Sequence, residues 1–503
     1  MTSSLPRTSH RFTRDPGLEG TTFGVTLQDL VDLDPDAPAV TCGTESLTRS
    51  ELFERAYDLG LRLVAAGVQQ GDYVTTVMHN SCDALVAVFA TWFVGAVPQV
   101  LSPKLASREL REILDLTSPA AVLGLTDGAI VGSRPAFAAP FDVAVPGELQ
   151  DLASPAWKAP TSGGSTGRPK VIVAGQPALI ESMLLGDIFR IPRSGSVLIT
   201  APVSHNAPFC AAALGVLRGC HTVLMPRFDA TETLRLIDVH DVVWVYAVPT
   251  MMARIWKLPA EVRAGFDVSS VRVWLHMAAA CAPALKEAFI GWLGPDAVWE
   301  LYGGTEAQSV TLLDGNEWLA HPGSVGRPVS GAMEVRDDTG AVVPAGTVGR
   351  IWLRREAGTP ETYRYLGAEA TSDGAGWETL GDLGYVDGDG FVYLADRDTD
   401  MFTVGGVNVY PAEIEAVLLE HDAVLDACIV GLPDEELGSV PHALVQTDGA
   451  DVIDDLGPWL AERLASHKRP KSVEFVATAL RDDAGKVRRA QVRRDRLGIP
   501  APA

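Results

Sequence analysis

The sequence predicts an α/β protein built as a large layered α/β body followed by a small α+β domain. From Val25 to about Ala395, candidate helices alternate with short β-rich runs separated by Gly, Pro and Asp, the pattern of sheets with helices on their faces. Near Asp396 the composition changes. The run Asp396-Arg-Asp-Thr-Asp400 is charged and has no apolar face, Gly405-Gly406 follows it, and the remaining chain of about 100 residues reads as a compact α+β unit. The predicted division is a body over 1–396, a hinge over 397–404 and a small domain over 405–503. At 503 residues, and with roughly 150 residues as the usual domain size, more than one such unit is expected.

In chain order, Asp72 to His79 reads as a strand, Cys82 to Val94 as a helix, and His221 to Met225 and Val242 to Val248 as strands. Val271 to Leu275 and Val298 to Leu301 are further short apolar runs, and strands that deliver loops at their ends make the crevices where open α/β sheets bind ligands. The small domain opens with a helix from Pro411 to His421. Pro411 suits the first helical turn because its missing N–H would have no partner there. Strands follow at Ala427 to Val430 and Ala443 to Val445, then a helix to Leu464 and a strand at Val473 to Val476.

Lys plus Arg is 41 and Asp plus Glu is 64, a net charge of −23. Sequence-independent nucleic-acid or anionic-membrane binding needs a basic face, so neither is an expected partner. Any phosphate site must be local. The six cysteines are scattered and form no C-x-x-C, which argues against a disulfide framework and for a reducing, cytoplasmic location. Residues 1–20 are polar with interspersed arginines and lack the apolar core of a secretion signal. The most apolar stretch, Ala84 to Val100, is 17 residues and ends in Gly95, Pro98 and Gln99, so a buried helix turning into a strand explains it better than a membrane span.

The sharpest motif is Thr161-Ser-Gly-Gly-Ser-Thr-Gly-Arg-Pro-Lys170: four hydroxyls, three glycines and one lysine in ten positions. Gly163, Gly164 and Gly167 let backbone N–H groups approach a polyphosphate, while Thr161, Ser162, Ser165 and Thr166 add hydroxyl donors. Pro169 before Lys170 and Val171 after it exclude a Walker loop. A second motif, Glu300-Leu-Tyr-Gly-Gly-Thr-Glu306, follows a short strand. It sets a carboxylate and a hydroxyl beside the Gly303-Gly304 turn, an arrangement suited to holding Mg²⁺ and a phosphate oxygen together. His205, Cys210, Cys220 and His221 match no compact zinc spacing.

Taken in order, these two segments, then Gly381-Asp382 with Arg397, then Gly485-Lys486, resemble the superfamily of adenylate-forming enzymes: acyl-CoA synthetases, adenylation domains and luciferases. The resemblance spans about Gln28 to Arg489 and includes the region from Gly71-Asp72 to Pro103. It implies the adenylate-forming fold, with a small C-terminal domain that moves. It further implies that Thr161, Ser162, Ser165, Thr166 and Lys170 hold phosphates, Tyr302 stacks on adenine, Thr305 contacts the α-phosphate, Glu306 binds Mg²⁺, and Asp382 with Arg397 grips the ribose. Glu300, Gly303, Met277, Ala278 and Ala279 would complete the nucleotide site. Lys486 would bridge the carboxylate and the α-phosphate during adenylation, where Mg²⁺ and an ammonium stabilise developing negative charge. Outside that frame, Asp382 would be an ordinary turn residue, and Arg397 and Lys486 solvated surface charges.

Three positions depart from the family pattern. Thr399 stands at the hinge where Asp or Lys is frequent. Ala280 replaces the proline of a Gly-Ala-Ala-Pro-like adenine wall at Met277-Ala-Ala-Ala280. Arg350 follows Val348-Gly349 where many relatives have Glu, which is expected to alter a surface contact only. Gly405-Gly406 is expected to allow close passage of a pantetheine arm.

Ser204-His-Asn-Ala-Pro-Phe209 matches the segment lining the acyl pocket, with His205 at its gating aromatic and among the catalytic residues. No aspartate for an α-amino group occurs there, which disfavours amino acids. Candidate pocket residues are His205, Asn206, Phe209, Tyr246, Ala247, Met277, Gly303 and Gly304. The segments around His205 and Cys281-Ala-Pro283 look most like acyl-CoA ligases acting on aromatic, steroid-type or fatty acids. The expected reaction is ATP-dependent formation of an acyl-adenylate, then transfer to coenzyme A. The alternatives are loading of a carrier protein, nitrite-dependent diazotisation of an aryl amine, and a catalytically silent nucleotide-binding scaffold. A homodimer is compatible with the sequence.

Overall fold

Nine strands form the main sheet. In spatial order they are Arg327–Ser330, Val310–Asp314, Val298–Gly303, Val273–His276, Val242–Ala247, Ser196–Ile199, His221–Leu224, Pro38–Cys42 and Glu45–Thr48. This is a computed structural model that describes residues 10–124, 136–137, 147–163, 169–449, 453–482 and 485–499. The strands from Val298–Gly303 through Pro38–Cys42 run parallel, and antiparallel strands close both edges. Parallel pairing needs cover on both faces, and the sequence supplies it. Trp244 and Trp274, both 0% exposed, sit on neighbouring strands inside one continuous apolar core; truncating an indole packed this way typically costs about 3–5 kcal/mol.

The helix Cys82–Phe93 is buried in this core at every residue but Asp83, capped by the Ser81 hydroxyl, which accepts the Ala84 N–H. Its neighbour, Arg49–Ala65, starts at a reciprocal capping box between Thr48 and Glu51. Such a box satisfies two N–H groups that the helix cannot. No helix among the described residues is long and apolar enough to cross a membrane.

The alternation of helix and strand expected up to Ala395 stops earlier. After the short helix Gly315–Ala320 the chain is all strand to Arg397, and Ala332–Arg336, Gly349–Arg354, Asp382–Val386 and Val392–Arg397 pair antiparallel around the small core of Val335, Ile351, Leu353 and Val392. A third sheet matters most for the site. The hairpin Thr161–Gly163 and Pro169–Ala174 is extended by Tyr363–Leu366, with Ser162 opposite Lys170 and Ile172 opposite Tyr365.

From Phe402 onward a separate apolar cluster gathers Val404, Val409, Ile414, Leu418, Ile429, Val445 and Leu460. The strands expected at Ala427–Val430 and Ala443–Val445 are each nine residues long, Asp426–Asp434 and Gly438–Gln446. Pro433 and the acidic residues beside it interrupt the apolar signal, yet the ladder continues to Asp434 opposite Gly438. Gly405 and Gly406, with φ of +58° and +84°, make the exposed two-residue turn of the hairpin Phe402–Val404/Val407–Val409. Two successive positive φ angles favour glycine in such turns, so the turn geometry accounts for both residues without a passing ligand. The unit touches the larger body: Lys257 donates to the Val424 carbonyl, and Arg488 stands 3.8 Å from Glu109.

Candidate active site

The two ends of the phosphate motif lie on paired antiparallel strands, Thr161–Gly163 and Pro169–Ala174, which fix what flanks it. Lys170 leaves the second strand to reach Glu306 Oε1 at 3.2 Å, and its ammonium also donates to the Tyr365 hydroxyl at 2.8 Å. Tyr365 in turn donates to Glu306 at 2.5 Å. Burial and the adjoining carboxylate push the Tyr365 phenol well above its ordinary range, so it remains a donor. Tyr363, on the same strand face, donates to Glu378 at 2.7 Å, which also accepts from Gln308. Thr161, Ser162 and Gly163 lie on the first strand. Gly164, Ser165, Thr166 and Gly167 fall outside the described residues.

Glu306 is 5% exposed. It follows the strand Val298–Gly303 through a tightly packed turn: a Cβ on Gly304 would lie 2.5 Å from the Leu380 side chain and 2.7 Å from the Glu306 carboxylate, so either side chain would have to move. Thr305 sits in that turn, beside Ala307 at φ +55°. On the strand itself Tyr302 donates its hydroxyl to Asp382 at 2.8 Å, and burial followed by the Asp382 charge raises its phenol pKa. Asp382 and Arg397 are cross-strand partners 3.3 Å apart, the carboxylate buried and the guanidinium exposed.

Lys486 comes to the same place from the far end of the chain. Asp482 accepts its N–H, and the Asp482 N–H donates back to the Lys486 carbonyl, making a tight turn. Gly485 presses that turn against Val248 and Thr250, where a Cβ would approach within 3.3 Å. Lys486 is exposed at the mouth of the cleft, with protein packed around the base of its side chain. Desolvation, then repulsion from Arg397, lowers its pKa, while Asp482 and Glu306 pull the other way.

The adenine-wall residues end the neighbouring strand: Met277 is buried, Ala279 partly exposed, and Ala278 holds φ +75°. A side-chain-bearing residue rarely adopts that conformation. Glu300, counted on for nucleotide binding, has its carboxylate paired with the fully buried Lys286, and His276 stands 4.0 Å away. Its side chain serves as an internal counter-charge, leaving only its backbone for the site. Burial, then the Lys286 charge, lowers the His276 pKa, which keeps that imidazole neutral.

On the acyl side, His205 caps the helix Asn206–Leu217 and, with Phe209, lines a cavity whose other walls include Val100, Lys158, Ala159 and Ser204. Asn206 accepts from Lys158. Tyr246 and Ala247 are core residues of their strand, and neither they nor Met277, Gly303 and Gly304 form walls of this cavity. Tyr363, Tyr365 and Lys158 were missed from sequence. The alternation of Tyr363-Arg-Tyr365, which sets two phenols on one strand face, was the available signal for the first two.

Residues 27–363 match the AMP-binding enzyme family, and residues 413–486 match the AMP-binding enzyme C-terminal domain. A 2-succinylbenzoate–CoA ligase of Bacillus licheniformis is 30% identical over 92% of this chain and 98% of its own length. A 4-coumarate–CoA ligase-like protein of Oryza sativa subsp. japonica is 31% identical over 90% of this chain and 88% of its own. The o-succinylbenzoate CoA synthetase of Bacillus subtilis, solved with its acyl-adenylate intermediate, superposes with a TM-score of 0.78 at 26% identity, covering 94% of this chain and 98% of that one.

Proposed function

This chain belongs to the AMP-binding enzyme family, and from that premise we infer that it is an AMP-forming acid–CoA ligase acting on an aromatic, steroid-type or fatty acid. A carboxylate oxygen of the acid attacks the α-phosphorus of ATP and pyrophosphate leaves. The CoA thiol, losing its proton, then attacks the acyl carbon and AMP leaves. The single observation that carries the reading is the convergence of Lys170, Glu306, Asp382, Arg397 and Lys486 from distant segments on one cleft. The acids named for the relatives, 2-succinylbenzoate and 4-coumarate, support the aromatic class.

In this mechanism Lys170 turns from Glu306 to the nucleotide phosphates, and the Asp382–Arg397 pair holds the ribose hydroxyls. Lys486 delivers its charge to the oxygens on which the transition state gathers negative charge. The site fits Mg²⁺, since Glu306 is a nearly buried hard-oxygen donor whose counter-charge is a lysine that nucleotide would draw away. Held by Glu306 beside Thr305, the ion would neutralise phosphate charge as a Lewis acid.

For the thiol to reach the carbonyl, Lys486 must withdraw, and the small C-terminal domain would swing about Thr399. The support is that Asp398 pairs with Arg350 of the body at 2.8 Å, while Asp400 pairs with Arg489 of the small domain at 3.2 Å. Thr399 lies between a residue tied to one side and a residue tied to the other. The six free thiols, five of them buried, suit a reducing cytoplasmic setting. Acid-dependent pyrophosphate exchange, followed by mass analysis of the product formed with CoA, tests the whole reading. A thioester is expected. Exchange with no thioester would redirect it to a carrier protein or to an amine acceptor with nitrite as the activated acid, and absence of exchange with any acid would refute it.

A further inference from the structure

The small domain touches one helix of the body, Pro249–Trp256, at both of its ends. At the start, Gly485 of the Lys486 turn faces the side chains of Val248 and Thr250, where a Cβ would come within 3.2 Å and 3.3 Å. At the other end Lys257, the C-cap residue, donates its ammonium to the Val424 carbonyl. Asp422 and Asp426, on either side of that carbonyl in sequence, attract the same ammonium. Val248 and Lys257 are the two caps of the helix, and at about 1.5 Å per residue they stand roughly 13 Å apart.

Inside the small domain the two contacts are joined. Asp426, 5% exposed, accepts from Arg481 at 2.9 Å. The Arg481 guanidinium also donates to the Ala427 carbonyl, to Glu415 and to the Gly485 carbonyl, each at 3.3 Å. One guanidinium thus ties the segment that Lys257 holds to the turn that carries Lys486, and a satisfied buried network of this kind is rigid. A rigid piece held at one point can pivot about it. Held at two points well apart, it cannot.

We propose that Lys257 is a positioning residue for adenylation: by fixing the segment 422–426 against the end of the helix, it completes a two-point seat that keeps Lys486 at the cleft. Lys257 touches none of the reacting groups and acts through Val424, Asp426 and Arg481. Its partner lies on the domain that must turn before thiol transfer, so the contact favours the orientation used for adenylation and is given up afterwards. A contact made in one orientation and lost in the other shifts the population by its own free energy, and a small displacement of a charge in a reaction site is felt strongly in rate.

The proposal rests on the acid–CoA ligase reading. Lys257 is exposed, so Lys257→Met removes the donor without opening the core, and an unfolding midpoint equal to that of wild type checks the fold. The acid is the one that wild type activates fastest in a panel of aromatic, steroid-type and fatty acids. Single-turnover pyrophosphate release should fall on the order of 5- to 20-fold in Lys257→Met, the scale of one charged hydrogen bond, while thioester formation from the supplied acyl-adenylate and CoA keeps its rate or gains. Lys257→Arg, which retains a donor, should keep most of the pyrophosphate release. Added to Lys486→Ala, Lys257→Met should cost the residual release nothing further, because the group it positions is gone. An equal fall in both half-reactions, no fall in either, or a full additional loss in the double variant overturns the assignment and leaves the ligase reading intact. Absence of acid-dependent pyrophosphate release from wild type overturns the ligase reading itself.

Discussion

Lys170 and Glu306 face each other at 3.2 Å, and the Tyr365 hydroxyl contacts both. The lysine of the glycine-rich hairpin and the carboxylate after the Gly303-Gly304 turn thus hold one another. On the proposed reading Glu306 would hold Mg²⁺ and Lys170 the phosphates, so binding of the nucleotide would require this pair to part.

Glu306→Gln keeps the shape and removes the charge, so pyrophosphate release should fall by roughly two orders of magnitude and require more Mg²⁺. A magnesium titration of wild type and variant measures this, and an unaltered dependence would remove Glu306 from the metal site. Tyr365→Phe deletes only the bridging hydroxyl and should cost about five- to tenfold, the scale of one hydrogen bond.

Lys486→Ala should abolish acyl-adenylate formation, a loss of roughly 3–4 kcal/mol in the transition state, while sparing much of thioester formation from a supplied acyl-adenylate. Measuring the two half-reactions separately decides the matter. Equal losses would place Lys486 outside the adenylation step.

The Lys486 ammonium is depressed below the ordinary 10.5, chiefly by desolvation and then by Arg397. On the proposed mechanism adenylation uses its charged form, so the rate should decline as pH rises through a value below that of ordinary lysine. Lys486→Arg, whose guanidinium stays protonated, should keep part of the activity and displace the alkaline limb upward. A pH profile of single-turnover pyrophosphate release gives the comparison.

Ala278 carries φ +75°, a conformation that costs an L-residue about 1–2 kcal/mol and glycine almost nothing. Ala278→Gly should therefore raise the thermal midpoint by about 1–3 °C. Calorimetry checks it, and a lower midpoint would show that the alanine methyl contributes more by packing than its backbone loses.

Thr399→Pro fixes φ at the pivot and should slow steady-state thioester formation several-fold more than single-turnover pyrophosphate release. If both rates fall alike, or neither falls, the domain turns elsewhere.

What could be read from the sequence, and what could not, follows from the range of the interactions. The helix over Cys82–Phe93 and the strands leading to Met277 and Glu306 are written in local apolar runs and terminal caps, and they emerge within a residue or two of the expected bounds. Arg350 makes a partly exposed contact, as expected, but its partner, Asp398, is not foreseen. That pairing exists only because Gly349–Arg354 lies beside Asp382–Val386, a register no local pattern encodes. Tyr365 escaped for the same reason. Lys158 escaped because a lysine between Trp157 and Ala159 looks like any surface lysine until the fold encloses it. Glu300 stood inside a recognised motif, and motif membership concealed its pairing with Lys286.

The three-stranded sheet under the phosphate hairpin also bears on how the protein comes to be made. Its third strand, Tyr363–Leu366, emerges almost two hundred residues after Lys170, and Lys486 emerges later still. Contacts of such wide sequence separation form late because loop-closure entropy must be overcome first. A ribosome-bound chain that has completed much of the nine-stranded sheet would still lack a finished nucleotide site. ATP cannot then act as an early folding ligand for this chain, and its stabilisation is confined to the end of synthesis, when the last strand and the distal lysine have both been released.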